Sequence, residues 1–423
     1  MLRFLLAAAL LMAIVGRAAG SEAMRVEKEY REKRQAALAG QWMEIKMPFE
    51  TPAAYLARLL DTAREGDSRA TAALGWEFHQ RGDKERARSW LGKSAERGNR
   101  FAAYLLGLIE PPPETPSAEA SALAVDWMRR AADEGLADAQ FEMALRYAQG
   151  KTVPVDLAAA REWYGRAAEQ NYAPALCNLA TMEMQGSGGP ADMKLAEQHF
   201  RAAADVGFPQ GAFGLGEVLR VQSRFADSAA AYRRAAESGV VDADFWLGCF
   251  ANQGLGQERD ETEAAKHFLK AALGGHIVSQ AIAADVLARG AGMPADPEAA
   301  ARWETELKKI TDREMATTLG GLFLEGRLVQ RDLAKALQYF RIAAVQGQAT
   351  AQRWAGALLA SGEAGERDLM EAYQWLWLAA RNGQPDAEPA FQAVLKAMDT
   401  NQILEAAKRA EQFQASRPAG GKD

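Results

Sequence analysis

The feature that most constrains this chain is a helix-sized pattern written again and again at a fixed interval. Residues 298–311 read EAAARWETELKKIT, residues 334–347 read AKALQYFRIAAVQG, and residues 370–383 read MEAYQWLWLAARNG. Taking the residue four before the paired alanines as a marker gives Trp90, Trp127, Trp163, His199, Ala231, His267, Trp303, Tyr339 and Trp375. Successive markers lie 37, 36, 36, 32, 36, 36, 36 and 36 residues apart. Eight positions after each marker stands Gly98, Gly135, Asn171, Gly207, Gly239, Gly275, Thr311, Gly347 or Gly383, and Gly66 lies one 32-residue step before Gly98. A register kept over this many units means one supersecondary element stacked repeatedly, not a string of unrelated domains.

Each unit holds two helices. In the stretch TVPVDLAAAREWYGRAAEQN (152–171), Asp156 is placed to cap the second helix. Ala160, Trp163, Tyr164, Ala167 and Ala168 then fall on one apolar stripe. The capping aspartate recurs as Asp192, Asp260, Asp296, Asp332 and Asp368, each with an alanine four residues on. The first helix carries a small residue followed by a Leu-Gly step, as in Ala70 with Leu74-Gly75 and Ala243 with Leu247-Gly248. The paired alanines are small because another helix must come close there. Together these spacings predict an all-α chain.

The combination of small residue, Leu-Gly, Gly-containing loop, Asp, Ala, Trp, Ala-Ala and Gly resembles the Sel-one-like repeat (SLR), a relative of the tetratricopeptide repeat. The resemblance covers residues 52–383. It implies a right-handed α-α superhelix, a solenoid of about nine to ten helix-pair repeats, used as a scaffold for protein–protein interaction. In bacterial envelopes such scaffolds act as adaptors or regulators of signalling and assembly. Residues 384–414, which include Met398–Ala406, resemble the helices that close such arrays, with a disordered tail expected over 415–423.

The first residues, MLRFLLAAALLMAIVGRAAGSEA, have the order of an export signal: a basic start at Arg3, an apolar run to Val15, and small residues before Met24. The run is too short to span a bilayer in the usual way, which favours cleavage over retention as an anchor. A signal over 1–23 implies a periplasmic or secreted protein without stable membrane insertion once it is cut. Residues 24–51 follow as a charged helix or cap, in which Glu27 with Arg31 and Glu29 with Lys33 have helical spacing. The reading there is a solvated helix at the end of the array. Cys177 and Cys249 lie two repeats apart, beyond the ~7 Å limit for a disulfide when helix layers are 8–10 Å thick, and are expected to be buried thiols.

The chemistry-bearing residues have plain alternatives. Gly92-Lys93-Ser94 and Gly150-Lys151-Thr152 imitate part of a phosphate loop but lack its first glycine and any preceding strand. Four histidines without cysteine or carboxylate clusters at ligand spacing imply no metal and no cofactor. A net charge of −6 without a basic patch implies no nucleic acid. Hydrolase and redox motifs are missing, so the expectation is a non-enzyme. Ten tryptophans leave a glycan or cell-wall ligand as the alternative to a protein partner, but five of them read as core-facing markers.

Two segments stand out as candidate partner contacts. Pro111, Pro112 and Pro113 replace an ordinary loop with a stiff, extended one. The unit 276–311 is a damaged copy: Glu304 stands where other units have an apolar residue, Leu307-Lys308 replaces Ala-Ala, Thr311 replaces the terminating glycine, and Met315 fills a slot that is otherwise small. Glu304 and Lys308 are too costly to bury unpaired and are expected to face water or a partner. The junction 303–315 reads either as drift compensated by its neighbours or as a looser joint for docking. The export reading gives a first prediction: N-terminal sequencing of the protein released with the periplasm should start between Ala19 and Met24. Recovery of the full-length chain from the cytosol would reverse it.

Overall fold

The computed structural model describes residues 28–41, 43, 51–109, 118–365 and 367–416. Among these residues there are 22 helices and no strand, as the periodicity predicts. The export segment and Pro111–Pro113 lie outside them. The chain divides into two compact units, one ending at Val240 and the other beginning at Val241.

In the N-terminal unit, α1 covers residues 28–41 and α2 Pro52–Arg64. Five helix pairs follow. They are α3 (Ser68–Gln80) with α4 (Lys84–Glu96), α5 (Arg100–Leu108) with α6 (Ala118–Asp133), and α7 (Ala137–Gln149) with α8 (Leu157–Ala168). The last two are α9 (Ala173–Gln185) with α10 (Met193–Asp205), and α11 (Pro209–Val221) with α12 (Phe225–Glu237).

The C-terminal unit pairs α13 (Val241–Gln253) with α14 (Glu261–Leu273) and α15 (Ile277–Arg289) with α16 (Pro297–Leu307). It then pairs α17 (Arg313–Glu325) with α18 (Leu333–Val345) and α19 (Ala349–Ser361) with α20 (Leu369–Arg381). Two closing helices follow, α21 (Ala387–Lys396) and α22 (Thr400–Ala415). Both rest on α20: Phe391 meets Tyr373 edge to face, and Phe413 meets Trp375 in the same way.

The second helices start where the sequence says they should. Asp156, Asp192, Asp260, Asp296, Asp332 and Asp368 each accept a backbone N–H of the first turn. Each such cap contributes about 1 kcal/mol. The alanine four residues on is buried in all six helices. The turn after the helix needs a left-handed residue, supplied by Gly275 at φ 97° and by Asn171 at φ 54°.

In six of the nine pairs, a large side chain of the second helix drops into a notch left by a glycine of the first, and Ala144, Ala180 and Ala284 hold that position in α7, α9 and α15. A β-carbon at Gly216 would lie 2.5 Å from the Tyr232 ring, at Gly248 2.7 Å from Phe268, and at Gly320 2.6 Å from Phe340. Gly75 faces Leu91, Gly107 faces Met128, and Gly356 faces Leu376 in the same way. The residue that fills the notch is the one directly after the tryptophan marker, so the core-facing reading of the markers needs correction. Trp90, Trp127, Trp163 and Trp303 are half-buried, and only Trp375 of the five is fully buried. Neighbouring residues on a helix point about 100° apart, so a side chain next to the notch-filler sits at the edge of the packed face.

Cys177 and Cys249 are buried and not joined in a disulfide. Gly92, inside α4, has open space where a β-carbon would go. Two substitutions therefore separate close approach from helix propensity. Gly216→Ala should destabilise by about 1–3 kcal/mol through overpacking against Tyr232. Gly92→Ala should instead be neutral or stabilise by about 0.5–1 kcal/mol. Urea titration followed by circular dichroism would read both.

Candidate protein-binding groove

The first helices of the N-terminal unit bring a row of polar and aromatic groups to the surface at their leading ends. Asp138 and Gln140 stand in the first turn of α7, followed by Phe141 and Glu142; Tyr172 precedes α9 and Phe208 precedes α11. Asp138 is 1% exposed, although it is a carboxylate at a helix surface. What covers this row is α1.

The sequence reading of this segment as a solvated helix is thereby corrected. Arg31 donates to Glu142, and Arg34 Nη2 lies 3.2 Å from Asp138 Oδ2. Tyr30 packs edge to face on Tyr172 at 5.6 Å and on Phe208 at 5.5 Å. The Arg34 guanidinium also lies over the Tyr172 ring, 5.0 Å from its centre. At the other end of α1, the Gln41 carbonyl accepts from Arg69 of α3 at 2.8 Å, and Leu38 and Met43 are buried.

A carboxylate this deeply covered is stable only if paired, and Arg34 pairs with it. Burial alone would lower the Arg34 pKa, but Asp138 outweighs it and the net direction is up. Burial, with Asp138 adding to it, pushes the Tyr104 phenol up to about 12 and raises that of Tyr172 further. Both phenols are therefore neutral, polar and mostly dry.

The C-terminal unit repeats part of this arrangement 104 residues later: Asp242 matches Asp138, Phe245 matches Phe141, Trp246 matches Glu142 and His276 matches Tyr172. The Phe245 and His276 rings pack 4.5 Å apart, tilted by 32°, and His276 Nε2 lies 3.8 Å from Asp242. His276 caps α15, its Nδ1 accepting the Ser279 N–H at 3.1 Å. That role requires an unprotonated nitrogen.

The other sequence candidates fall elsewhere. Glu304 occupies the notch-filling slot of α16, and Lys335 Nζ meets its carboxylate at 2.7 Å. Glu304 and Lys308 line a small cleft with Phe323 and Tyr339. Lys308 and Thr311 are exposed, Met315 is half-buried, and the Thr311 carbonyl accepts from Gln346. α16 stops two residues short of its neighbours and barely touches α17.

Gly92-Lys93-Ser94 is helix interior and Gly150 is a helix cap, so neither fragment forms a phosphate cradle. His199 pairs with Glu183 and His267 with Asp244, in separate places. Among the described residues no group of three metal-ligating side chains comes together, and no helix is long and apolar enough to cross a membrane.

The His276 cap generates a pH prediction. Burial pushes its pKa down to about 4, below the ordinary 6.5, so the unfolded chain takes up the proton first. The contribution of this group is complete above pH 6.5 and is lost progressively as the pH falls toward 4. The full effect is roughly 3 kcal/mol at 1.36 kcal/mol per pKa unit. Asn99 caps α5 from the equivalent position without titrating. His276→Asn should therefore keep the cap and flatten the fall in urea midpoint between pH 7.5 and pH 5.

With this geometry in place, comparison with known proteins is direct. The family described as Sel1 repeat matches residues 68–99, 119–136, 137–172, 173–208, 241–276, 278–303, 317–348 and 349–384. A Sel1 repeat protein from Oxalobacter formigenes is similar in structure, with TM-score 0.54 and 25% identity, over 84% of this chain and 98% of that one. The antigen c5321 of uropathogenic Escherichia coli, which displays an SLR fold, has TM-score 0.53 and 22% identity, over 87% of this chain and 98% of its own. The uncharacterized protein NMB1327 of Neisseria meningitidis serogroup B is 26% identical over 113 residues, which is 27% of this chain and 23% of that protein. Sel1 repeat proteins are generally scaffolds for protein interaction. The matched units, the helix pairs and the similar solved folds agree, and the chain belongs to the Sel1 repeat family.

Proposed function

We propose that this chain is an exported, non-enzymatic scaffold that holds another protein on the leading ends of its first helices. The observation that carries this reading is the α1 contact itself, in which that face already receives an amphipathic helix through paired charges and edge-to-face rings. Helix-in-groove recognition uses these same elements. Export follows from the order of basic, apolar and small residues in the first 23 positions, and an adaptor role in envelope signalling or assembly is the setting it suggests.

A glycan ligand would need open aromatic faces. The Trp90 ring has Lys93 over it at 4.5 Å and the Trp163 ring has Arg166 at 4.4 Å, which favours protein over sugar.

The α16–α17 junction is a second proposed contact, because α16 is short there and the cleft beside it presents Glu304 and Lys308. Thr311 and Met315 complete that surface, and Pro111, Pro112 and Pro113 stay a proposed docking loop.

Photocrosslinking in intact cells tests these readings against each other. A photoreactive residue at Trp246, which matches Glu142 in the C-terminal unit, should capture a protein. The same residue at Glu162, exposed on the second helix α8, should not. Capture from Lys308 alone would move the contact to the junction. Equal capture from all three positions, or from none, would remove the reading.

A further inference from the structure

The hold of α1 on the groove is mostly polar and aromatic, and its ion pairs sit at the rim. Tyr30, Arg31, Arg34 and Leu38 fall at offsets 0, 1, 4 and 8, one face of a single helix. Leu38 is the one side chain of that face that is fully buried. The two arginines remain 29% and 35% exposed, so their ion pairs are open to water and to salt. With α1 in place, Asp138, Phe141 and Tyr172 beneath it are 1% exposed or less, so displacing α1 would expose an acid and two rings to water or to another ligand.

One group is left over. The Tyr172 hydroxyl is buried and has no hydrogen-bond partner among the described residues. Buried polar groups in native proteins are nearly always satisfied, and one that is not destabilises the state that buries it. α1 answers the carboxylates of the groove and packs edge to face on its rings but offers no acceptor to this phenol. It is a partial complement to the surface it covers.

We propose that α1 is a displaceable resident of this groove, and that the groove's true ligand is a basic, aromatic-bearing amphipathic helix of another protein. The proposal rests on the reading that this face binds protein, and adds both the chemistry of the partner and its control. The partner helix carries two cations for Asp138 and Glu142, a ring for Tyr172 and Phe208, and an acceptor for the Tyr172 hydroxyl. α1 occupies the same positions in cis, so binding is a competition. A weak tethered occupant lowers the apparent affinity of every partner by the fraction of time the groove is closed.

The test uses the full chain carrying Tyr30→Ala, Arg31→Glu and Arg34→Glu, with its fold checked by circular dichroism. Two labelled peptides serve as probes. One has the sequence of residues 28–43, and the other is an alanine-based helix bearing only Tyr, Arg, Arg and Leu at offsets 0, 1, 4 and 8. Both should bind this variant at least about ten-fold more tightly than the wild type, which corresponds to 1.4 kcal/mol. Adding Asp138→Lys and Glu142→Lys should abolish the gain.

A second measurement needs no variant. In the wild type, hydrogen exchange over residues 28–41 should be faster than in α7. It should rise further with the alanine-based peptide, or with salt raised from about 0.05 to 0.5 M. Equal peptide binding by both chains, or exchange in α1 as slow as in α7 and unmoved by salt and peptide, would overturn the proposal. So would a wild-type dimer lost on charge reversal of Arg31 and Arg34, because the ligand would then be the helix of a second copy. If the peptides fail while Trp246 still captures a protein, this inference falls and the scaffold reading stands.

Discussion

Everything in this fold depends on how closely two helices of a pair can approach, and in six of the nine pairs one glycine with one large side chain sets that distance. Tyr232 against Gly216 and Phe268 against Gly248 are contacts that a single methyl group would spoil. The notch fixes the crossing of the pair, and the alanine pairs then let the next layer come close. A chain that makes this contact well once can be extended by copying it, because each layer needs only its neighbours.

The damaged copy shows what happens when the contact is not made. In α15 the notch position is Ala284, as it is Ala144 in α7 and Ala180 in α9, but the residue opposite is Glu304 where those pairs bury Tyr164 and Phe200. A carboxylate cannot fill an apolar slot, so it stays half-exposed and turns to Lys335. Ion pairs this exposed contribute little to stability. Leu307 becomes the buried residue at the end of α16, the helix stops there, and contact with α17 is reduced. Nothing in the remaining pairs of that unit compensates by lengthening: α17 to α20 keep the ordinary 13 residues.

Helix pairs, their caps and the terminating glycines could be read from the sequence because each rests on local chemistry. Asp156 caps because of the three residues after it, whatever lies elsewhere. The tryptophan markers were legible as a period but not as a direction, since residues 100° apart on a helix share that period. The groove was not legible. Glu27 and Glu29 have good helical partners in Arg31 and Lys33, which made a solvated helix the natural reading, and Asp138 looks like any acid in a first turn. The pairing of Arg31 with Glu142 and Arg34 with Asp138 spans more than a hundred residues, and a local pattern holds no trace of it. The offset of Asp138 and Phe141 by 104 residues from Asp242 and Phe245 was the available hint, since it shows an acid and a ring kept together at the same place in two units.

The glycine notch also explains why units of unequal length keep one phase. Gly216 and Tyr232 are 16 residues apart, whereas Gly248 and Phe268 are 20 apart, yet both pairs make the same contact. The four extra residues are confined to the turn between the helices and leave the notch contact unchanged. Length in this chain is thus a property of its turns and position a property of its notches. The longer turns reach back to the preceding layer, Gly188 lying against the backbone of Leu157 and Gly292 against that of Glu261, so a unit that gains turn residues also gains a grip on the unit before it.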